Sequence, residues 1–143
     1  MEIKNIKNTG LISGYSPSSN TSNASGIVNV GKIGNITNIG IIIGISTSGT
    51  GNGTTGSGID SYQSTIIDIT NTGLISGTGN SSNDDGTGSG IENYQGTIRD
   101  ITNTGEISGT GNGDGSGAGT GSGIYNYSSG KIGDITNRGL ISG

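Results

Sequence analysis

Residues 89–109 read SGIENYQGTIRDITNTGEISG, and this stretch decides the fold because the rest of the chain repeats it. Residues 57–77 read SGIDSYQSTIIDITNTGLISG, and residues 122–143 read SGIYNYSSGKIGDITNRGLISG. A looser copy, SGIVNVGKIGNITNIGIIIG, fills 25–44, and half a copy, IKNIKNTGLISG, begins at Ile3. With Ile6, Ile36, Ile69, Ile101 and Ile135 as markers, the steps are 30, 33, 32 and 34 residues. Self-similarity at a fixed period of this size marks a solenoid or an array. The chain, 1–143, reads as one repeat domain with units at approximately 1–24, 25–56, 57–88, 89–121 and 122–143.

Aligned, the copies show four apolar columns. The first holds Ile27, Ile59, Ile91 and Ile124, and the second Ile3, Ile33, Ile66, Ile98 and Ile132. The markers form the third, and Ile12, Ile42, Ile75, Ile107 and Ile141 the fourth. Between them run short alternations punctuated by Asn, Asp and Gly, a pattern for brief strands and tight corners rather than helices. A propeller blade needs about 40 to 45 residues. In a parallel β-solenoid each coil lies about 4.8 Å above the last, so like residues stack on like. The expected fold is all-β: a parallel β-helix (β-solenoid) of about five coils of about 32 residues, one coil per repeat.

Asparagines make further columns. Asn8, Asn38, Asn71, Asn103 and Asn137 follow the marker by two, so they point to the same side as the core isoleucines. Asn29, Asn93 and Asn126, with Ser61 as the exception, hold the matching place after the first column. Stacked amides that donate and accept along the axis are expected there. The glycine-rich stretches 15–24, 45–56, 78–88 and 110–121 all fall at one place in the repeat and are expected to emerge as loops on one side.

Composition bounds the function. The net charge is −4, with neither Cys nor His, while isoleucine occurs 24 times, nineteen of them in the four columns. A disordered chain has no reason to keep β-branched residues in phase. The absence of Cys and His removes disulfides, thiol chemistry and the usual zinc ligands, and no cofactor is expected. The acidic balance argues against nucleic acid. No apolar run is long enough for membrane insertion as a helix, and no secretory leader is legible. Because Met1 falls where a repeat is already half complete, the chain reads as part of something longer.

The pattern GI-x-N-Y…I-x-D-ITN-x-G-x-ISG, with Gly/Ser/Thr/Asn-rich spacers, resembles the Asn/Gly/Ile-rich passenger repeats of autotransporter adhesins of Gram-negative bacteria. The resemblance covers essentially the whole chain. It implies a right-handed parallel β-helix on the bacterial cell surface, in line with the hand of parallel crossovers. It also implies an extracellular, non-enzymatic stalk or adhesive segment whose partners are host-cell or matrix glycans or proteins. A second expected partner is the chain itself, stacking end to end through unpaired strand edges into filaments.

Three sets of residues carry alternatives. Asp68, Asp100 and Asp134 share a column with Asn5 and Asn35; paired carboxylates there would suit a polysaccharide-binding or -cleaving β-helix. Corner capping explains them better, since Asn substitutes in two coils and no basic column accompanies them, Arg99 and Arg138 standing isolated. Thr70 and Thr72, with Thr102 and Thr104, suggest the two-threonine array of an ice-binding solenoid face. Tyr62, Tyr94 and Tyr127 share a column with Val30 and would either stack on sugar rings or on one another.

Overall fold

The computed structural model describes residues 2–18, 22–48, 53–114 and 117–143. Three sheets form, and the chain visits them in turn. Sheet A holds β1 (Glu2–Asn8), β4 (Lys32–Asn38), β7 (Thr65–Asn71), β10 (Thr97–Asn103) and β13 (Lys131–Asn137). Sheet B holds β2 (Leu11–Ser18), β5 (Ile41–Ser48), β8 (Leu74–Ser81), β11 (Glu106–Asn112) and β14 (Leu140–Ser142). Sheet C holds β3 (Ser22–Asn29), β6 (Thr54–Tyr62), β9 (Gly86–Tyr94) and β12 (Gly119–Tyr127). Every pairing is parallel and joins a strand to its counterpart one repeat away. The chain is a β-solenoid with one coil per repeat. It makes about four turns rather than five, because the first repeat supplies strands only to sheets A and B.

The isoleucine columns meet inside. Ile36, Ile69 and Ile101 stack in register, as do Ile33, Ile66 and Ile98, and all are buried with Ile42, Ile59, Ile75, Ile91 and Ile107. Full burial of such a side chain is worth about 2 kcal/mol. One strand serves two columns through a bend: Ile98 and Ile101 both point inward, while Arg99 and Asp100 between them face out. The register correspondingly skips Arg99. Asparagine ladders line the corners. Asn8 Nδ2 donates to Asn38 Oδ1 at 2.9 Å, Asn38 to Asn71 at 2.8 Å, Asn71 to Asn103 at 2.8 Å and Asn103 to Asn137 at 2.9 Å.

The glycine-rich stretches depart from expectation. They are not loops. Their described parts extend β5, β8 and β11 of sheet B and β6, β9 and β12 of sheet C, and only the turn at 82–85 separates β8 from β9. Beyond the isoleucines these two sheets approach backbone to backbone. A Cβ on Gly77 would collide with the carbonyl oxygens of Ser89 and Gly56, so only glycine admits this spacing. The alternation of Gly with Ser and Thr is thus a strand pattern whose inward member is glycine or another small residue such as Ala24 or Ser46. Corners from sheet C to sheet A pass through left-handed backbone at Gln63 and Gln95, and their side-chain amides pair at 2.9 Å.

Candidate functional site

The outer face of sheet C carries the richest surface. Between β6 residues Gly56 and Ile59, four consecutive positions are buried, including the outward-facing Ser57. The register skips Gly58 and Gly90, where the strands bend and make the outer face concave. One arm presents Thr55, Thr87 and Thr120 in a column beside Asn23. The other presents Asp60, Glu92 and Tyr125, and then the tyrosine column. Two depressions of about 220 and 250 Å³ adjoin along the groove, sharing Thr55, Glu92 and Tyr127 in their walls.

Glu92 lies at the floor, 8 % exposed. Ser57 Oγ donates to its Oε2 at 2.6 Å and Tyr127 Oη donates to its Oε1 at 2.8 Å. Asp60 is its register neighbour one coil away, on the same face. Burial, with the charge of Glu92 added, pushes the Asp60 carboxyl up to about 6. The Tyr127 hydroxyl is pushed up as well, first by burial and then by its hydrogen bond to Glu92. No Lys or Arg lines either depression.

The tyrosines stack on one another. Tyr62 and Tyr94 are nearly parallel with centroids 4.9 Å apart, Tyr94 meets Tyr127 edge-on at 4.9 Å, and Tyr127 stacks on Tyr125 at 4.4 Å. Tyr94 is therefore flanked on both sides, and the groove is offered ring edges and hydroxyls more than open faces.

Other expected sites separate. Thr70 and Thr102 are the last residues but one of β7 and β10 and are exposed in register, but Thr72 and Thr104 lie in the bends that follow. The two threonines of each pair stand on either side of a corner, so the strand face is one threonine wide. Asp68, Asp100 and Asp134 share a column at the bend within sheet A, as corner residues. Arg99, however, is not isolated. Its Nη2 lies 2.6 and 2.7 Å from the two carboxylate oxygens of Asp68, one coil away, and its Nε lies 3.1 Å from Asp100 Oδ2. Side chains at the bend splay outward, which lets a residue from one coil reach carboxylates on two. At a turn tip, Asp85 Oδ1 accepts from Ala118 N at 2.7 Å, tying adjacent coils together.

Sequence reading passed over Asp60, Glu92 and the serine column Ser25, Ser57, Ser89 and Ser122. The signal was present: the outward position next to the tyrosines is acidic in two successive coils. The longer Asp68–Asp100–Asp134 column masked it. Among the described residues no group of three or more His, Cys, Asp or Glu side chains gathers as a metal ion would need, and no helix is long and apolar enough to cross a membrane. No protein-family model matches the chain, and neither a curated protein nor a solved structure matches it significantly.

Proposed function

We propose that this chain is a non-enzymatic structural and adhesive β-solenoid segment, a stalk of a larger bacterial surface protein, which takes a further coil at either end and so stacks with copies of itself. The observation that carries this reading is the match between its two open edges. β1, β2 and β3 form one edge of the stack and β13, β14 and β12 the other. Continuing the observed register sets Ile132 on Ile3, Ile135 on Ile6 and Asn137 on Asn8 of a second copy.

Charges agree at that junction. Within the chain, Lys32 Nζ lies 3.0 Å from Glu2, and Lys131 occupies the same column as Lys32. Lys4 holds the bend position that Arg99 holds, so it faces Asp134 of the preceding copy as Arg99 faces Asp68. An apolar depression of about 220 Å³, lined by Ile3, Ile6, Ile27, Val28 and Val30, opens beside β3 and would be covered by added chain. Unpaired strand edges of this kind drive association. The extracellular part of the reading rests on the likeness of the repeat to adhesin passenger repeats.

Negative-stain microscopy tests the stacking. Rods longer than one chain, shortened by Ile135→Arg, are expected. Monodisperse particles of single-chain mass at high protein concentration would sink the reading.

A further inference from the structure

Glu92 is the one charged residue among the described residues that is buried, and it has no basic partner. Burying a carboxylate is costly unless opposite charge or hydrogen bonds compensate. Ser57 and Tyr127 supply one hydrogen bond to each oxygen, yet the charge itself stays unmatched, and Asp60 adds a second carboxyl beside it. The salt bridges of the described residues lie elsewhere, on sheet A. A second unspent polar group lies beneath the floor and lines neither depression itself. Ser89 sits in register between Ser57 and Ser122, fully buried, and its hydroxyl has no partner. Around this floor the groove offers threonine hydroxyls once per coil and the edges and hydroxyls of the tyrosine stack.

We propose that the sheet C groove is a binding site for a polyhydroxylated chain that carries positive charge: a sugar polymer with free amino groups, its ammonium seated between Asp60 and Glu92. The ammonium supplies the charge that the floor lacks, in a place where solvent screening is reduced. Ring hydroxyls meet the recurring Thr55, Thr87 and Thr120, whose spacing of about 4.8 Å follows from the stack. A polyuronate would set like charge against Glu92 and is rejected. The assignment gives the adhesive part of the reading above a ligand class. It does not depend on end-to-end stacking, which microscopy reads separately.

Titration calorimetry of the purified chain at pH 6.5 tests it, with glucosamine oligomers, their N-acetylated counterparts, oligogalacturonate and a lysine oligomer. The expected result is binding of the glucosamine oligomers, at least about tenfold weaker binding of the acetylated ones, and none of the uronate. Glu92→Gln and the less buried Asp60→Asn should each weaken the glucosamine oligomers about tenfold while melting cooperatively. No binding, equal binding of acetylated and free oligomers, or unchanged affinity in a folded Asp60→Asn variant would overturn the assignment. So would a lysine oligomer that binds as tightly as the sugar, since the site would then read charge alone.

Discussion

Ser61 and Ser64 hold the buried corner between β6 and β7 with hydroxyl oxygens 2.8 Å apart. Other coils place Asn and Gly there: Asn93 with Gly96, and Asn126 with Gly130. Asn93 Nδ2 donates to Gly96 O and to Asn126 Oδ1, and a Cβ on Gly96 would run into Asn93 Oδ1. The long amide therefore demands a glycine after it, and the short Ser61 tolerates Ser64. One consequence remains, a buried Asn93 Oδ1 without a donor. Ser61→Asn alone should lower the urea midpoint by crowding Ser64. Ser61→Asn with Ser64→Gly should extend the ladder to Asn93 and raise stability by about 1 kcal/mol.

The main ladder is more sensitive. Asn71 Nδ2 donates to Asn103 Oδ1, to Gly73 O and to Glu106 O, while Asn71 Oδ1 accepts from Asn38. Asn71→Ala strands these buried partners and should cost roughly 3 kcal/mol in urea unfolding. Asn71→Asp keeps the size but turns a donor into an acceptor, and should not rescue it.

Close sheet approach predicts a contrast between glycines. Gly77→Ala thrusts a methyl group into the carbonyls of Ser89 and Gly56 and should destabilise by roughly 2 kcal/mol. Gly10 has open space where its Cβ would stand, so Gly10→Ala should change stability by no more than about 0.5 kcal/mol. Equal losses at both positions would show that the sheets do not meet as described.

Stability should also fall as the medium is brought toward neutrality. The Asp60 carboxyl titrates near 6 when folded against 3.8 in its unperturbed state. The folded chain therefore holds this proton more tightly. Its contribution is complete below about pH 4 and is lost as pH rises through 6, a change of order 1 kcal/mol once solvent screening of a partly exposed group is allowed for. Thermal melts at pH 4, 5, 6 and 7 should show that component, and Asp60→Asn should remove it.

The corner between Thr70 and Thr72 bears on ice binding. With one threonine per strand on that face, no thermal hysteresis is expected, and Thr70→Tyr should leave freezing behaviour unchanged. Hysteresis abolished by that substitution would show that the split pair works after all.

Much of this was legible in the residues. Ile69, Ile101 and Ile135 recur at the coil period, and Asn71 and Asn103 keep phase with them; stacked parallel strands are the arrangement that sets each residue on its own copy. The groove was harder to see. Ser57 and Tyr127 belong to columns of like residues, but Asp60 and Glu92 share theirs with Val28 and Tyr125, so periodicity does not single out the two carboxylates. Arg99 read as isolated because its partner, Asp68, is 31 residues away.

By itself, then, the sequence determined the coil period, the residues that point inward and the strand register, since these follow from local alternation and from repetition. Only the tertiary structure decided that the glycine-rich stretches pair as two closely apposed sheets, and that sheet C bends outward at Gly58 and Gly90 to gather an uncompensated carboxylate, hydroxyls and stacked tyrosines. Glycine is compatible with loop and strand alike, and its choice depends on whether another backbone is near enough to exclude a side chain. That distance is a property of the closed coil, which no single repeat contains.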